Sequence, residues 1–91
     1  MTTNRQVYTL SPQVLFASFE AGGVIFNLET RESNCLNLIA ADVIALLDGH
    51  RDVSAIIDTL SVENGIDPQL VRKDVESFLM DIINRGWIDE H

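Results

Sequence analysis

The stretch DPQLVRKDVESFLMDIINRGWI, residues 67–88, is the part of the chain most completely marked as one helix. Asp67 can accept hydrogen bonds from the first free backbone amides, and Pro68 suits the first helical position because its missing N–H would have no partner there. Gly86 supplies the left-handed residue that ends many helices. Apolar residues recur between these marks at spacings of three and four: Val71, Val75, Phe78, Leu79 and Ile82. We therefore predict one long helix whose apolar face packs on the rest of the chain.

Two segments upstream have the pattern of a β-hairpin. Residues 14–19 are apolar and rich in strand-forming types, and the Ala-Gly-Gly sequence at residues 21–23 can form a turn. Beyond the turn, Val24, Phe26 and Leu28 recur with a period of two, so we expect a second strand that turns these three side chains toward the core. The intervening residues are expected on the opposite, partly solvated face: Ile25, Asn27 and Glu29.

A short third strand and two helices complete the predicted elements. Residues 33–36 form the strand, with Leu36 pointing inward and Cys35 outward. Asn37 then caps an almost wholly apolar helix that we expect to be buried, and Asp52 caps a second helix that closes near an Asn-Gly pair. Three antiparallel strands followed by three helices predict an α+β, winged-helix-like domain.

Length and composition allow one small domain. Ninety-one residues with 46% apolar content support a single core. We expect a flexible tail over residues 1–10, with residues 7–10 laid over the sheet, and one domain over residues 11–91. No stretch has the roughly 20 apolar residues that cross a bilayer, and no export signal is recognisable. The single cysteine, Cys35, fits a reducing compartment, so we expect a cytoplasmic protein without membrane contact.

The acidic balance opposes nucleic-acid binding. Six Lys plus Arg face fourteen Asp plus Glu, which gives a formal net charge of -8. A winged-helix DNA-binding regulator is the alternative function, because the same order of elements can carry a recognition helix. Such a helix needs basic neighbours, and the long helix matches its three basic residues with acidic ones.

No side chains have the spacing of a catalytic or metal site. His50 and His91 lack a ligand-spaced partner, and we interpret both as surface residues. Cys35 has no basic or histidine neighbour that would make it a nucleophile. Trp87 directly follows the glycine stop and is expected to fold back onto the last helical turn. We therefore predict no enzyme activity and no cofactor.

The ordered set of residues after the second strand resembles the PqqD-like family, the recognition elements of pathways that make ribosomally synthesised, post-translationally modified peptides. The resemblance covers residues 14–88. It rests on LN at 36–37, AA at 40–41, VI at 43–44, Leu46, DG at 48–49, II at 56–57, Leu60 and DVESFLMDIINRGWI at 74–88.

The resemblance implies a three-stranded sheet packed on three helices and a non-catalytic peptide chaperone. Its members bind the leader segment of a precursor peptide as an added antiparallel strand and present it to a separate maturation enzyme, such as a radical S-adenosylmethionine enzyme. In the family the groove lies between the third strand and the third helix. Carried onto this sequence, the strand residues are Ser33, Asn34, Cys35 and Leu36. On the helix the resemblance favours Asp74 and Phe78, with Lys73 and Ser77 on the other flank as alternatives.

The residues themselves allow the same interpretation. A strand at residues 33–36 that lies at a sheet edge leaves one row of backbone groups available for a partner. That partner is either a peptide or a second copy of this chain, so a homodimer is a further expectation.

Overall fold

The computed structural model describes residues 5–90, so the first residues of the predicted tail and the predicted surface position of His91 lie outside the described residues. The helices and strands follow in the order β1 (Val7–Leu10), β2 (Val14–Phe19), β3 (Gly22–Asn27), β4 (Ser33–Leu36), α1 (Leu38–Leu46), β5 (Asp48–Asp52), α2 (Val53–Asn64), α3 (Pro68–Asn84) and β6 (Ile88–Glu90).

The predicted three-stranded antiparallel sheet is confirmed as β2-β3-β4, with β3 in the centre. Val14 pairs with Asn27 across the hairpin, and Ile25 pairs with Asn34 on the other side of β3. Leu36 points inward and packs against the core, while the Cys35 side chain is exposed, as predicted. β4 is therefore an edge strand of this sheet.

The prediction for the faces of β3 is wrong. Ile25 is buried in the core, whereas Leu28 lies beyond the strand and is 50% exposed. The reason is the packing of α1, which covers the face that carries Gly23 and Ile25; a side chain on Gly23 would lie 3.2 Å from the methyl group of Ala41. Asn27 tolerates burial on this face because its Oδ1 accepts hydrogen bonds from the backbone N–H groups of the following turn.

A second antiparallel sheet, with strand order β5-β1-β6, is absent from the sequence prediction. Residues 7–10, which the sequence analysis assigned to the tail, form its central strand. Tyr8 pairs with Glu90 and Leu10 with Ile88, so both ends of the described chain meet in this sheet. Tyr8 and Ile88 are buried and join the core that lies between the sheets and the helices.

The predicted limits of the long helix are confirmed. The Asp67 carboxylate accepts a hydrogen bond from the Gln69 amide at 2.8 Å, and Gly86 has a φ of 73°. The amides of Gly86 and Trp87 donate to the carbonyls of Ile83 and Ile82, which closes the helix end. Four apolar residues of α3 are buried: Val71, Val75, Leu79 and Ile82. Ile88, the last residue of the quoted stretch, belongs to β6 instead of the helix.

The first two helices begin at their predicted caps, because Asn37 and Asp52 each accept a hydrogen bond from an amide three residues later at 2.8 Å. The expectation that α1 is buried is wrong for part of the helix. Only one side of α1 faces the core, while Leu38 is 47% exposed and Ile39 is half-buried. Ile39 and Ala40 of α1 border the site described below. None of the helices within residues 5–90 has the length and apolarity of a membrane span.

Candidate functional site

The edge of β4 that faces away from β3 carries no other strand in the described part of the chain. The orientation of its backbone groups follows from the ladder. The Asn27 amide donates to the Glu32 carbonyl at 2.9 Å, one residue before β4 begins. Hydrogen-bonded pairs alternate along an antiparallel ladder, so the backbone groups of Asn34 and Leu36 face β3. The N–H and C=O groups of Ser33 and Cys35 therefore face the open edge.

Helix α3 lies opposite this open edge and leaves a groove between the two. The central part of the groove has a volume of about 250 Å³. Its walls are formed by β4 and the start of α1 on one side and by α3 with the residues after it on the other: Asn34, Cys35, Leu36, Asn37, Ala40, Phe78, Asp81, Arg85 and Trp87. We call this space and its two extensions the β4–α3 groove.

The β4–α3 groove extends in both directions from its centre. Beyond Leu36, an extension with a volume of about 530 Å³ lies between α1 and α3, and its lining residues are Asn37, Ile39, Ala40, Val43, Asp74, Ser77, Phe78 and Asp81. Beyond Ser33, a smaller extension has a volume of about 200 Å³, and its lining residues are Asn27, Thr30, Glu32, Asn34, Arg85 and Trp87. Neighbouring parts share lining residues, so the groove is continuous along β4 and α3.

Most of the residues predicted for the site are brought together in this groove. Three from β4 and three from α3 line it: Asn34, Cys35, Leu36, Asp74, Ser77 and Phe78. Ser33 contributes its outward backbone groups, whereas Lys73 is exposed and is not among the lining residues. The flank of α3 that faces the groove therefore includes Asp74, Ser77 and Phe78. Their role in binding stays a prediction.

The contributions of α1 and of the end of α3 to the groove were not predicted from the sequence. Asp81 and Arg85 follow Asp74 and Phe78 at helical spacing, so the periodicity of α3 contained a signal for them. Nothing comparable marks Ile39 and Ala40, because α1 is apolar at every position except Asp42 and its pattern does not show which side remains open.

The charges at the two ends of the groove differ. The Arg85 Nε lies 3.2 Å from both carboxylate oxygens of Asp81, and its guanidinium lies 5.1 Å from the centre of the Trp87 ring. At the opposite end the Asp74 carboxylate forms no hydrogen bond or ion pair with any residue between 5 and 90. Glu32 adds a third carboxylate, so the groove contains three acidic side chains and one basic side chain.

Within residues 5–90, the two groups whose pKa is clearly shifted lie outside the groove. Hydrogen bonds from the backbone N–H groups of Arg51 and His50 lower the pKa of Asp48, and burial raises the pKa of the Tyr8 hydroxyl. Residues 5–90 contain no cluster of three or more side chains suited to hold a metal ion. The chemistry that the groove offers is recognition by backbone hydrogen bonds, apolar contact and charge.

Comparison with protein families places residues 22–88 within the family described as coenzyme PQQ synthesis protein D (PqqD). Two curated relatives from Rhodopseudomonas palustris, strains TIE-1 and HaA2, are each named PqqA binding protein. They are 40% and 38% identical over 52 residues, which is 57% of this chain and 51% of each relative. The chain thus spans about half the length of the curated relatives it matches.

Solved structures share the fold. The PqqD truncation of Methylobacterium extorquens PqqCD, described as a stand-alone RiPP recognition element, matches with a TM-score of 0.80 at 22% identity over 98% of this chain and 95% of its own. TbiB1 in complex with the TbiA(beta) leader peptide matches with a TM-score of 0.79 at 22% identity, over 89% and 94%. Lasso peptide synthetase B1, also in complex with a leader peptide, matches with 0.76 at 23% identity, over 90% and 96%. These likenesses confirm the predicted α+β fold.

Proposed function

We propose that this chain, which belongs to the PqqD family, binds the leader segment of a ribosomally made precursor peptide as an antiparallel strand on the open edge of β4. The observation that carries this proposal is the outward direction of the Ser33 and Cys35 backbone groups, which face a groove walled by α3. Strand addition of this kind draws its affinity from main-chain hydrogen bonds and its specificity from pockets for alternate side chains.

The names of the similar proteins support the same function. Two of the similar structures are complexes with leader peptides, and the curated relatives are named for binding PqqA. In this chain Ser33 and Cys35 supply the backbone groups, while Asn34 and Leu36 hold β4 on the sheet. Phe78 shapes the apolar part of the groove, bordered by Asp74 and Ser77. Lys73, on the exposed side of α3, has a minor role at most.

In this proposal the chain binds the precursor peptide, and a separate enzyme modifies it. The chain acts as a non-catalytic peptide chaperone. It forms one domain over residues 11–91, to which we add β1 because this strand lies between β5 and β6 in the second sheet. It presents the bound peptide to a separate maturation enzyme, for which a radical S-adenosylmethionine enzyme is our first candidate. An exposed free cysteine suits the reducing cytoplasm. Pairing of two copies through β4 gives a homodimer that the leader peptide would displace, which sedimentation with and without peptide tests.

The direct test uses two substitutions at one position. The probe is a synthetic PqqA peptide, because the curated relatives are named for binding PqqA. Cys35→Pro removes the outward N–H and is expected to weaken peptide binding by about five- to tenfold. The loss comes from one missing hydrogen bond and from the distortion of the backbone at the preceding residue. Cys35→Ala keeps the N–H and should bind as the parent protein does.

Isotope-labelled protein provides the readout, because its backbone amide spectrum reports folding and binding together. Peptide addition should shift amide signals of β4 and of the groove side of α3. Asn34→Pro serves as a second comparison, since it removes a donor to β3 and should disturb the sheet itself. A folded Cys35→Pro variant with unchanged affinity would show that β4 is not the docking edge.

A further inference from the structure

The β4–α3 groove carries an uncompensated negative charge beside its apolar section. Asp74 lines the same space as Phe78 and Ile39, and its carboxylate forms no hydrogen bond or ion pair within residues 5–90. The basic residues that precede it, Arg72 and Lys73, are exposed and are not among the lining residues. A ligand with a cationic side chain would therefore find a free carboxylate next to an apolar surface.

The other carboxylate in the central groove is already engaged. Asp81 holds the Arg85 guanidinium through both of its oxygens, and that guanidinium also lies against Trp87. The two ends of the groove thus differ in their surroundings: the Asp74 carboxylate lies beside Ile39 and Phe78 at the α1 end, whereas the Ser33 end holds the Glu32 carboxylate among mostly polar residues near the Arg85 guanidinium. This difference gives the groove a direction.

The direction of the bound strand follows from the topology. β4 runs from the Arg85 end of the groove toward Asn37, while α3 runs from Asp74 toward Arg85. A peptide antiparallel to β4 therefore runs parallel to α3. Its N-terminal residues lie at Asp74, and its later residues lie at Trp87.

The spacing of the two side chains on α3 matches an extended peptide. Asp74 and Phe78 are one turn apart, which is about 6 Å along the helix axis. Two residues of a strand span about 6.6 Å, and side chains two positions apart point to the same side. We propose, on the basis of the proposed function, that the leader segment recognised by this groove carries a lysine or arginine that contacts Asp74, two positions before a large apolar residue that packs against Phe78.

A random-peptide display library tests this proposal and does not require the natural ligand to be identified. The library is selected separately on the parent chain and on Asp74→Lys, Asp58→Lys and Cys35→Pro variants, each first shown to be folded by its amide spectrum. Asp58 is exposed on α2 and is not among the groove-lining residues, so its substitution matches the change in net charge alone. We expect the parent and Asp58→Lys to enrich a basic residue two positions before an apolar one.

The Asp74→Lys selection should replace the basic residue by Asp or Glu at the same spacing. For one selected peptide, Asp74→Asn should weaken binding by about two- to fivefold, the usual range for an exposed ion pair. The effect should disappear when the basic residue of the peptide is replaced by glutamine, which completes a double-mutant cycle.

The outcomes separate this inference from the proposed function. Two results would overturn the inference: selection of apolar peptides without a basic residue by the parent chain, or selection of the same basic residue by Asp74→Lys. Strand addition would remain supported in both cases if the Cys35→Pro variant no longer binds the peptides selected on the parent chain. If Cys35→Pro enriches the same peptides as the parent, or if the parent enriches none, the proposed function fails and the inference fails with it.

Discussion

Gly22 and Leu36 lie so close together that a side-chain carbon on Gly22 would overlap the carbonyl oxygen of Leu36. Gly22 begins β3, and Leu36 ends β4 directly before Asn37, the cap of α1. This contact fixes the end of the edge strand against β3 at the point where the groove widens between α1 and α3. Glycine is required at this position for space, because any larger residue would push β4 outward.

Gly22→Ala is expected to destabilise the fold by about 3 kcal/mol, because overpacking against backbone cannot be relieved by a rotamer change. Gly65→Ala is the matched control. Gly65 has a φ of 61° but no atom within 4 Å of an added side-chain carbon, so it should lose only about 1 kcal/mol from backbone strain. Chemical denaturation of both variants measures the difference, and equal losses would show that the contact at Leu36 relaxes freely.

Asp67→Ala removes the cap of α3, and Gly86→Ala strains its left-handed stop. Each is expected to cost about 1 kcal/mol of folding free energy. Binding of the leader peptide per folded molecule should change less than stability does, since neither residue is among those that line the groove. Thermal unfolding and peptide titration of the same samples provide the comparison. Unchanged melting temperatures for both would contradict the assignment of these two residues as cap and stop.

Substitutions at two adjacent residues of α3 should separate an effect on stability from an effect on peptide binding. Leu79 is fully buried, and Leu79→Ala is expected to cost about 3 kcal/mol of stability. Phe78 is half-buried and lines the groove, so Phe78→Ala should cost less stability and weaken peptide binding by about tenfold. Lys73→Ala should leave both quantities unchanged. Loss of affinity in Lys73→Ala without loss in Phe78→Ala would assign the groove to the other flank.

Duplex DNA is expected to show no measurable affinity at physiological salt, because the net charge of -8 repels the phosphate backbone. Fluorescence anisotropy of labelled random-sequence duplexes over a range of salt concentrations measures this directly. Micromolar binding that weakens as salt is added would instead favour the winged-helix regulator.

Local signals account for the elements that could be predicted. The three helices begin at Asn37, Asp52 and Asp67 because a short polar side chain satisfies free amides within three residues of itself. The limits of β4 likewise follow from neighbouring turn residues and alternation. The assignment of Asp74 and Phe78 to the groove came from the family resemblance, because the limits of a helix do not show which of its sides faces a ligand.

The sequence by itself determined the caps, the stop at Gly86 and the order of β2, β3, β4 and the three helices, because each depends on chemistry within a few residues. Only the tertiary structure decided which face of β3 is buried, since apolar side chains occur on both faces and the close approach of α1 at Gly23 selects one. It also decided the second sheet, where Tyr8 pairs with Glu90 across nearly the whole chain and the strands carry little local signal. The tertiary structure also decided that the N–H group of Cys35 faces the open edge of β4, because the direction of an N–H group is set by the partner strand and not by the residue that carries it.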